Sequence, residues 1–302
     1  MTPQKIRMTT LLAVAIASLA TAASAQTNYT TPPRTTTSKI LYHGGPVATG
    51  GQNLYFVFYG CWGTGFCPAS DNQTMLLLGD FASTLGNTPY AQINGDYTDA
   101  SGRPASAAYI YGGAVIDNSY SHSSTLTEAD LVAIIGTQIL SFALPHDPQG
   151  IYIVFTSADI ALVDGTTQFC LTCCQRHGRS MINGAFTNWG FVGHTNRCPG
   201  ACGIPAGVTS ANVTPNGDLA GDSMASWLAH TLTEIVTNPD DASGWYDRYG
   251  LEDADKCLGT YGTIYRTATG AFANIRLGAR DFLLQQNWVK SGNKPHCGMT
   301  RQ

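Results

Sequence analysis

His230 and Glu234 stand four residues apart in a stretch whose apolar members, Met224, Trp227, Leu228, Leu232, Ile235 and Val236, recur at helical spacing. On a helix that interval stacks both side chains on one face. An imidazole and a carboxylate one turn apart can share one zinc ion, as two ligands of the H-E-x-x-H helix do. The next residue is Thr231. A zincin helix carries there the glutamate that takes a proton from the metal-bound water. A threonine hydroxyl is no base near neutral pH, so if this site binds metal, ordinary zincin hydrolysis should be crippled. A third ligand must come from downstream. Asp247 in Gly-Trp-Tyr-Asp and Asp255 in Ala-Asp-Lys-Cys qualify, and Asp255 is favoured because Cys257 two residues on would hold its backbone. The histidine favours zinc over calcium, which takes oxygen ligands. The plain alternative is a hydrogen bond on the helix surface, at the edge of the apolar stripe.

The surroundings are acidic. Nine of the 20 acidic residues fall between Asp218 and Asp255, opposed within that stretch by Arg248. Such a density of carboxylates is an exposed acidic loop, a cation site or a pair of catalytic acids. Elsewhere the chain has no G-x-S-x-G elbow, phosphate-binding loop or dinucleotide fingerprint.

The elements that must position these groups alternate between strand and helix. Leu54–Tyr59 and Ile151–Phe155 read as buried strands, Ala107–Val115 as a strand, and 72–85 and 126–142 as helices, the latter capped by Thr125 with Glu128. Asp222 or Ser223 caps the ligand-bearing helix, and Asn238-Pro239 stops it. Thr263–Arg266 and Ala273–Arg276 read as a hairpin around Gly270. Residues 165–215 carry little periodicity and read as an irregular, disulfide-stapled segment. The expected fold is a zincin-like α/β sandwich with a mixed sheet, as one domain over 38–302.

Charged residues are only 12% of the chain against 43% hydrophobic, and the net charge is −4. That composition excludes a disordered chain and a basic nucleic-acid binder. Lys5 and Arg7, the apolar run Leu11–Ala20 and Ala23-Ser24-Ala25 form an export signal over 1–25. A polar leader, 26–37, follows. No later stretch has the length of a membrane span. Export predicts disulfides among the nine cysteines. By spacing, Cys61 pairs with Cys67, Cys170 with Cys174, Cys198 with Cys202 and Cys257 with Cys297, which leaves Cys173 free. A zinc site of Cys170, Cys173, Cys174 and His177 is the rival reading of that segment.

Four stretches resemble the phosphate-induced protein family, known in plants through EXORDIUM: Leu41-Tyr42-His43-Gly44-Gly45-Pro46-Val47; Phe169-Cys170 through Cys174 to His177-Gly178; Cys198-Pro199-Gly200-Ala201-Cys202; and Pro215-Asn216-Gly217-Asp218 with Asp222 and Met224, followed by Val236-Thr237-Asn238-Pro239. The helix is similar to that of microbial relatives with H-E-L-x-E-x-x-T-D-P, then G-W-Y-D, which look zincin-derived. The resemblance implies a secreted or cell-surface protein linked in plants to growth and nutrient signalling, and no established reaction comes with it. The expected function is therefore secreted, non-catalytic binding of an extracellular ligand, a cell-wall glycan or a protein, with a metal at His230, Glu234 and Asp255. The alternative is a secreted zinc hydrolase in which Asp240 or Asp247 replaces the missing base.

Overall fold

Leu54–Tyr59 is an unbroken apolar and aromatic run, too short for a helix and suited to a strand covered on both faces. In the computed structural model, which describes residues 27–29, 38–63, 65–205, 208, 213–240, 242–292 and 294–301, it lies in strand β1 (Gln52–Tyr59). The chain continues through α1 (Asp71–Leu85), β2 (Tyr109–Asp117), α2 (Glu128–Leu140), β3 (Gly150–Thr156), β4 (Gln175–Ile182), β5 (Ala185–Val192) and α3 (Leu219–Thr237). The five strands form one mixed sheet in the order β2-β1-β3-β5-β4. β1 is parallel to β2 and β3, and β3 to β5, while β4 runs antiparallel along the edge.

The alternation of side chains along β1 divides the core in two. Leu54, Phe56 and Phe58 pack with Leu77, Leu78 and Phe81 of α1 and Met224, Leu228, Leu232 and Ile235 of α3. Tyr55, Val57 and Tyr59 pack on the other face with Leu131, Ile134, Ile135 and Ile139 of α2. The result is a three-layer α/β sandwich.

Several boundaries differ from expectation for local reasons. The α2 box forms two residues later than expected: Thr127 accepts from the Asp130 amide, and Asp130 accepts from the Thr127 amide. The hairpin around Gly270 forms but is shorter than expected, pairing Tyr265–Arg266 with Phe272–Ala273, and Ile275–Leu277 pairs separately with Arg280–Phe282. The export signal lies outside the described residues, as does the leader apart from Thr27–Tyr29, which pairs with Gly262–Ile264.

The largest correction concerns 165–215. It supplies β4 and β5, which pair from Ala185 with Ile182 to Val192 with Gln175. β4 reads Gln-Arg-His-Gly-Arg-Ser-Met-Ile, the polar composition of an edge strand, so hydrophobic periodicity does not mark it. The hairpin also changes the cystine pairing. Its two ends lie together, so bridges run across the base: Cys170 to Cys198 and Cys174 to Cys202, each spanning 28 residues. The expected local pairs Cys170–Cys174 and Cys198–Cys202 are therefore wrong, and the rival Cys/His zinc site loses two of its ligands to disulfides. Cys61–Cys67 and Cys257–Cys297 form as expected, and Cys173 is the free thiol.

The α3 helix begins at neither expected cap. Asp218 takes that role, its Oδ1 accepting from the Gly221 amide at 2.9 Å while Oδ2 accepts from the Thr74 hydroxyl of α1 at 2.6 Å. Asp222 instead accepts from the amide and side chain of Asn216 and pins the preceding turn. Asp218→Ala should lose the cap and the tie to α1, costing about 1–2 kcal/mol in a chemical-denaturation measurement. No change in the unfolding midpoint would show that the cap is dispensable.

Candidate metal-binding site

The α3 helix presses unusually close to the sheet where its ligand face begins. A Cβ on Gly190 of β5 would stand 2.8 Å from Thr231 Cγ2 and 2.7 Å from Ile153 Cδ1. With no side chain at Gly190, the helix lies against β5 and beneath the neighbouring edge strand. Alternation along β4 then points Gln175 and His177 toward α3 and sends Arg176 to the other face, where it meets Glu128 at 2.7 Å. Gln175 donates to Glu234 Oε2 at 2.9 Å and accepts from the Thr231 hydroxyl at 3.1 Å.

His230 and Glu234 are 2% and 1% exposed, so they belong to the interior and not to the helix surface. His230 Nε2 lies 2.8 Å from Glu234 Oε1 and 3.5 Å from Asp255 Oδ1. The three predicted ligands thus converge, each offering an atom within 4.8 Å of the others. Neither His230 Nε2 nor Glu234 Oε1 has a hydrogen-bond partner among the described residues, despite their separation. At 2.8 Å the two atoms are in contact without meeting hydrogen-bond geometry, and their burial excludes a pair on the helix surface.

Asp255 is delivered by a short turn, Asp255–Cys257, fixed by the Cys257–Cys297 bridge. The same loop places Glu252 against His177, with Oε2 3.0 Å from Nε2, and His177 Nε2 is 3.8 Å from Glu234 Oε2. His177, which the sequence offers as a ligand of the rival cysteine site, therefore joins this one instead. The signal available was its place in the Phe169 to Gly178 motif. Asp247 does not reach the site as a ligand: it is buried against Lys256 Nζ at 3.1 Å. Glu252 and Asp253 are also buried, so this part of the acidic stretch is no exposed loop. Neither substitute base, Asp240 nor Asp247, lines the cavity beside the ligands. Asp240 faces Arg179 at 3.7 Å instead.

The cavity has a volume of about 670 Å³ and is walled by the stapled segment, including Leu171, Thr172 and Cys173, with Trp227 beside His230. Its groups titrate abnormally. Burial works against charge on His230, yet the Glu234 and Asp255 carboxylates lift its pKa to about 10. Burial raises Glu252 to about 8 and Asp253 to about 7. Burial opposes ionisation of Asp255 too, but the His230 imidazole holds it below the usual range. Burial pushes the Cys173 thiol up to about 11, so it is a poor nucleophile. At the zincin base position, the Thr231 hydroxyl donates to the Trp227 carbonyl at 2.8 Å as well as to Gln175. Imidazole nitrogen with carboxylate oxygens suits zinc, and the unpartnered Nε2 and Oε1 atoms fit such an ion.

Fold and site together define a disulfide-braced α/β protein with a buried histidine–carboxylate cluster opening into a cavity. The chain belongs to the phosphate-induced protein family, whose conserved region matches residues 40–279. It is 27% identical over 283 residues to Protein EXORDIUM-like 3 of Arabidopsis thaliana, covering 83% of this chain and 80% of that protein. It is 28% identical over 294 residues to Protein EXORDIUM-like 5 of the same plant, covering 85% and 77%. No solved structure matches. No helix among the described residues is long and apolar enough to cross a membrane.

Proposed function

We propose that this is an exported, EXORDIUM-type binding protein in which His230, Glu234 and Asp255 hold a divalent metal, zinc by their donor set, in a non-catalytic role. One observation carries the reading: buried His230 Nε2 and Glu234 Oε1 lie 2.8 Å apart without a hydrogen bond, with Asp255 Oδ1 beside them. Ligand atoms about 2.1 Å from a tetrahedral zinc sit about 3.4 Å from one another, and His230 Nε2 lies at 2.8 and 3.5 Å from its two neighbours. The edge strand beside the ligand helix, with the mixed sheet behind it, suits a zincin-like ancestry. Thr231 in the base position argues against hydrolysis. Four disulfides are the bracing expected outside the cell. A metal there would tie the 252–255 loop to α3 and hold the floor of the cavity, where an extracellular glycan or protein segment would bind.

Elemental analysis of the purified mature protein should find zinc, and His230→Ala should lose at least one ion per chain. Peptide and glycan substrates should be left intact. A metal-free protein whose unfolding ignores both chelator and added zinc would end the metal reading. Turnover stopped by chelator and by Glu234→Gln would replace it with a secreted metallohydrolase.

A further inference from the structure

Glu234 offers its two oxygens to two different sets of ligands. Oε1 meets His230 on its own helix, which also meets Asp255 from the loop, whereas Oε2 faces His177 on the edge strand, which also meets Glu252 from the same loop. His177, Glu234 and Glu252 form a second cluster whose ligand atoms all lie within 4.8 Å of one another, and all three residues are buried. We propose that the cavity holds a pair of divalent cations bridged by the Glu234 carboxylate, the second ion bound by His177 Nε2, Glu234 Oε2 and Glu252 Oε2. This rests on the first ion at His230.

The second set has the spacing of the first. His177 Nε2 is hydrogen-bonded to Glu252 Oε2 at 3.0 Å, a contact that an ion between them would replace, and stands 3.8 Å from Glu234 Oε2; the two distances bracket the edge of about 3.4 Å in a zinc tetrahedron. Two-metal sites place their ions about 3.5–4 Å apart, the span that one carboxylate bridges with an oxygen on each. Gln175 occupies one lone pair of Oε2 by its hydrogen bond and leaves the other for a metal.

An independent observation points to the same place. Glu252 is 5% exposed and lines the cavity, and its Oε1 has no hydrogen-bond partner among the described residues. A buried carboxylate oxygen without a donor is costly unless a cation takes it up. Charge supports the count. The ion pairs of Glu234, Glu252 and Asp255 are made with the imidazoles His177 and His230. With Asp253 close enough to be influenced by Glu234, four carboxylates share this interior. Two divalent cations neutralise four carboxylates, and one does not. His177 and Glu252 are supplied by elements other than α3, so the second set is no by-product of helical spacing.

The decisive measurement is zinc stoichiometry on the intact mature protein after chelation, reloading with zinc alone and exhaustive dialysis. Two ions per chain are expected in the wild type. His177→Ala and the isosteric Glu252→Gln should each retain one, with circular dichroism unchanged. Reloading with manganese should give the spin-coupled resonance of a bridged pair in the wild type and an isolated-ion signal in both variants. One zinc in the wild type, retained in both variants, would overturn the second site and leave the first intact. A wild type that holds a single zinc and loses it in His177→Ala or Glu252→Gln would also overturn it, since that one ion would then be shared by all the ligands. No zinc in the wild type would remove both sites.

Discussion

Lys256→Ala is expected to destabilise the protein by about 3–5 kcal/mol, because it leaves a buried aspartate without its cation. Lys256 and Asp247 have fully buried side chains, with Nζ 3.1 Å from Asp247 Oδ2. The ammonium also donates to the Ser38 carbonyl at 2.7 Å and lies 5.2 Å from the Trp288 ring centre. Asp247 Oδ1 in turn accepts from the amides of Tyr249 and Leu251, so the pair fixes the loop leading to Glu252. Lys256 stands between Asp255, a proposed ligand, and Cys257, a half-cystine, so its loss should weaken zinc binding as well as folding. Urea denaturation gives the stability change. The double variant Lys256→Met with Asp247→Leu removes both charges and should be closer to wild type than Lys256→Ala alone. A loss below about 1 kcal/mol for Lys256→Ala would show that water reaches the aspartate.

This ion pair also explains why the acidic stretch was only half legible. From sequence, Asp247 and Asp255 both qualify as ligands following α3, and the half-cystine beside Asp255 is what favours it. What separates them is Lys256, whose side chain turns inward and claims Asp247. The lysine is visible in sequence, but its burial depends on how the 240–260 loop folds back onto the amino-terminal strands, where Trp245 pairs with Tyr42. Nothing local encodes that return. The i, i+4 geometry of His230 and Glu234 is local and was therefore readable, including their shared face. Their depth was not, because amphipathic spacing treats the sheet side as the only interior. Here a second interior is made by the edge strand and the returning loop.

The same distinction accounts for the sheet. β1 and β3 announce themselves as apolar runs because both of their faces are covered. β4 is recognisable only by its partner, since its residues alternate between the cavity and the α2 side and are mostly polar, with Ile182 joining the core beside α2. Its strand character is imposed by pairing with β5, and with it came the cystine connectivity. Close spacing suggested local bridges, yet hairpin closure brought Cys170 to Cys198 and Cys174 to Cys202. His177 was grouped with the cysteines for the same reason: a ligand carried by an unrecognised strand has no visible address.

In the metal-free protein, stability should fall as pH rises from about 5.5 to 8, and zinc should reverse the slope. The sign follows from proton counts. His230 is raised to about 10 when folded, so it keeps its proton where an unfolded histidine loses one near 6.5. Its contribution is complete below that value and is lost as pH climbs through the folded pKa. Glu252 and Asp253, raised by burial to about 8 and about 7, also hold protons that the unfolded chain has released near pH 4. All three make the folded state the richer in protons, so each rise in pH favours unfolding. Metal ligation requires neutral imidazole and ionised carboxylate. With zinc bound, the ligands His230 and Glu252 have given up their protons, and the unfolded chain, whose histidines regain theirs below about 6.5, becomes the richer. Stability then falls toward acid. Asp222, raised by burial to about 6, lies away from the ligands and contributes alike to both forms, so it cancels in the comparison. Unfolding free energies in chelator and in excess zinc should therefore diverge by an order of 3 kcal/mol or more between pH 5.5 and 8. In His230→Ala the divergence should shrink. Parallel curves in chelator and zinc would mean that the cluster keeps its protons under both conditions and binds no ion.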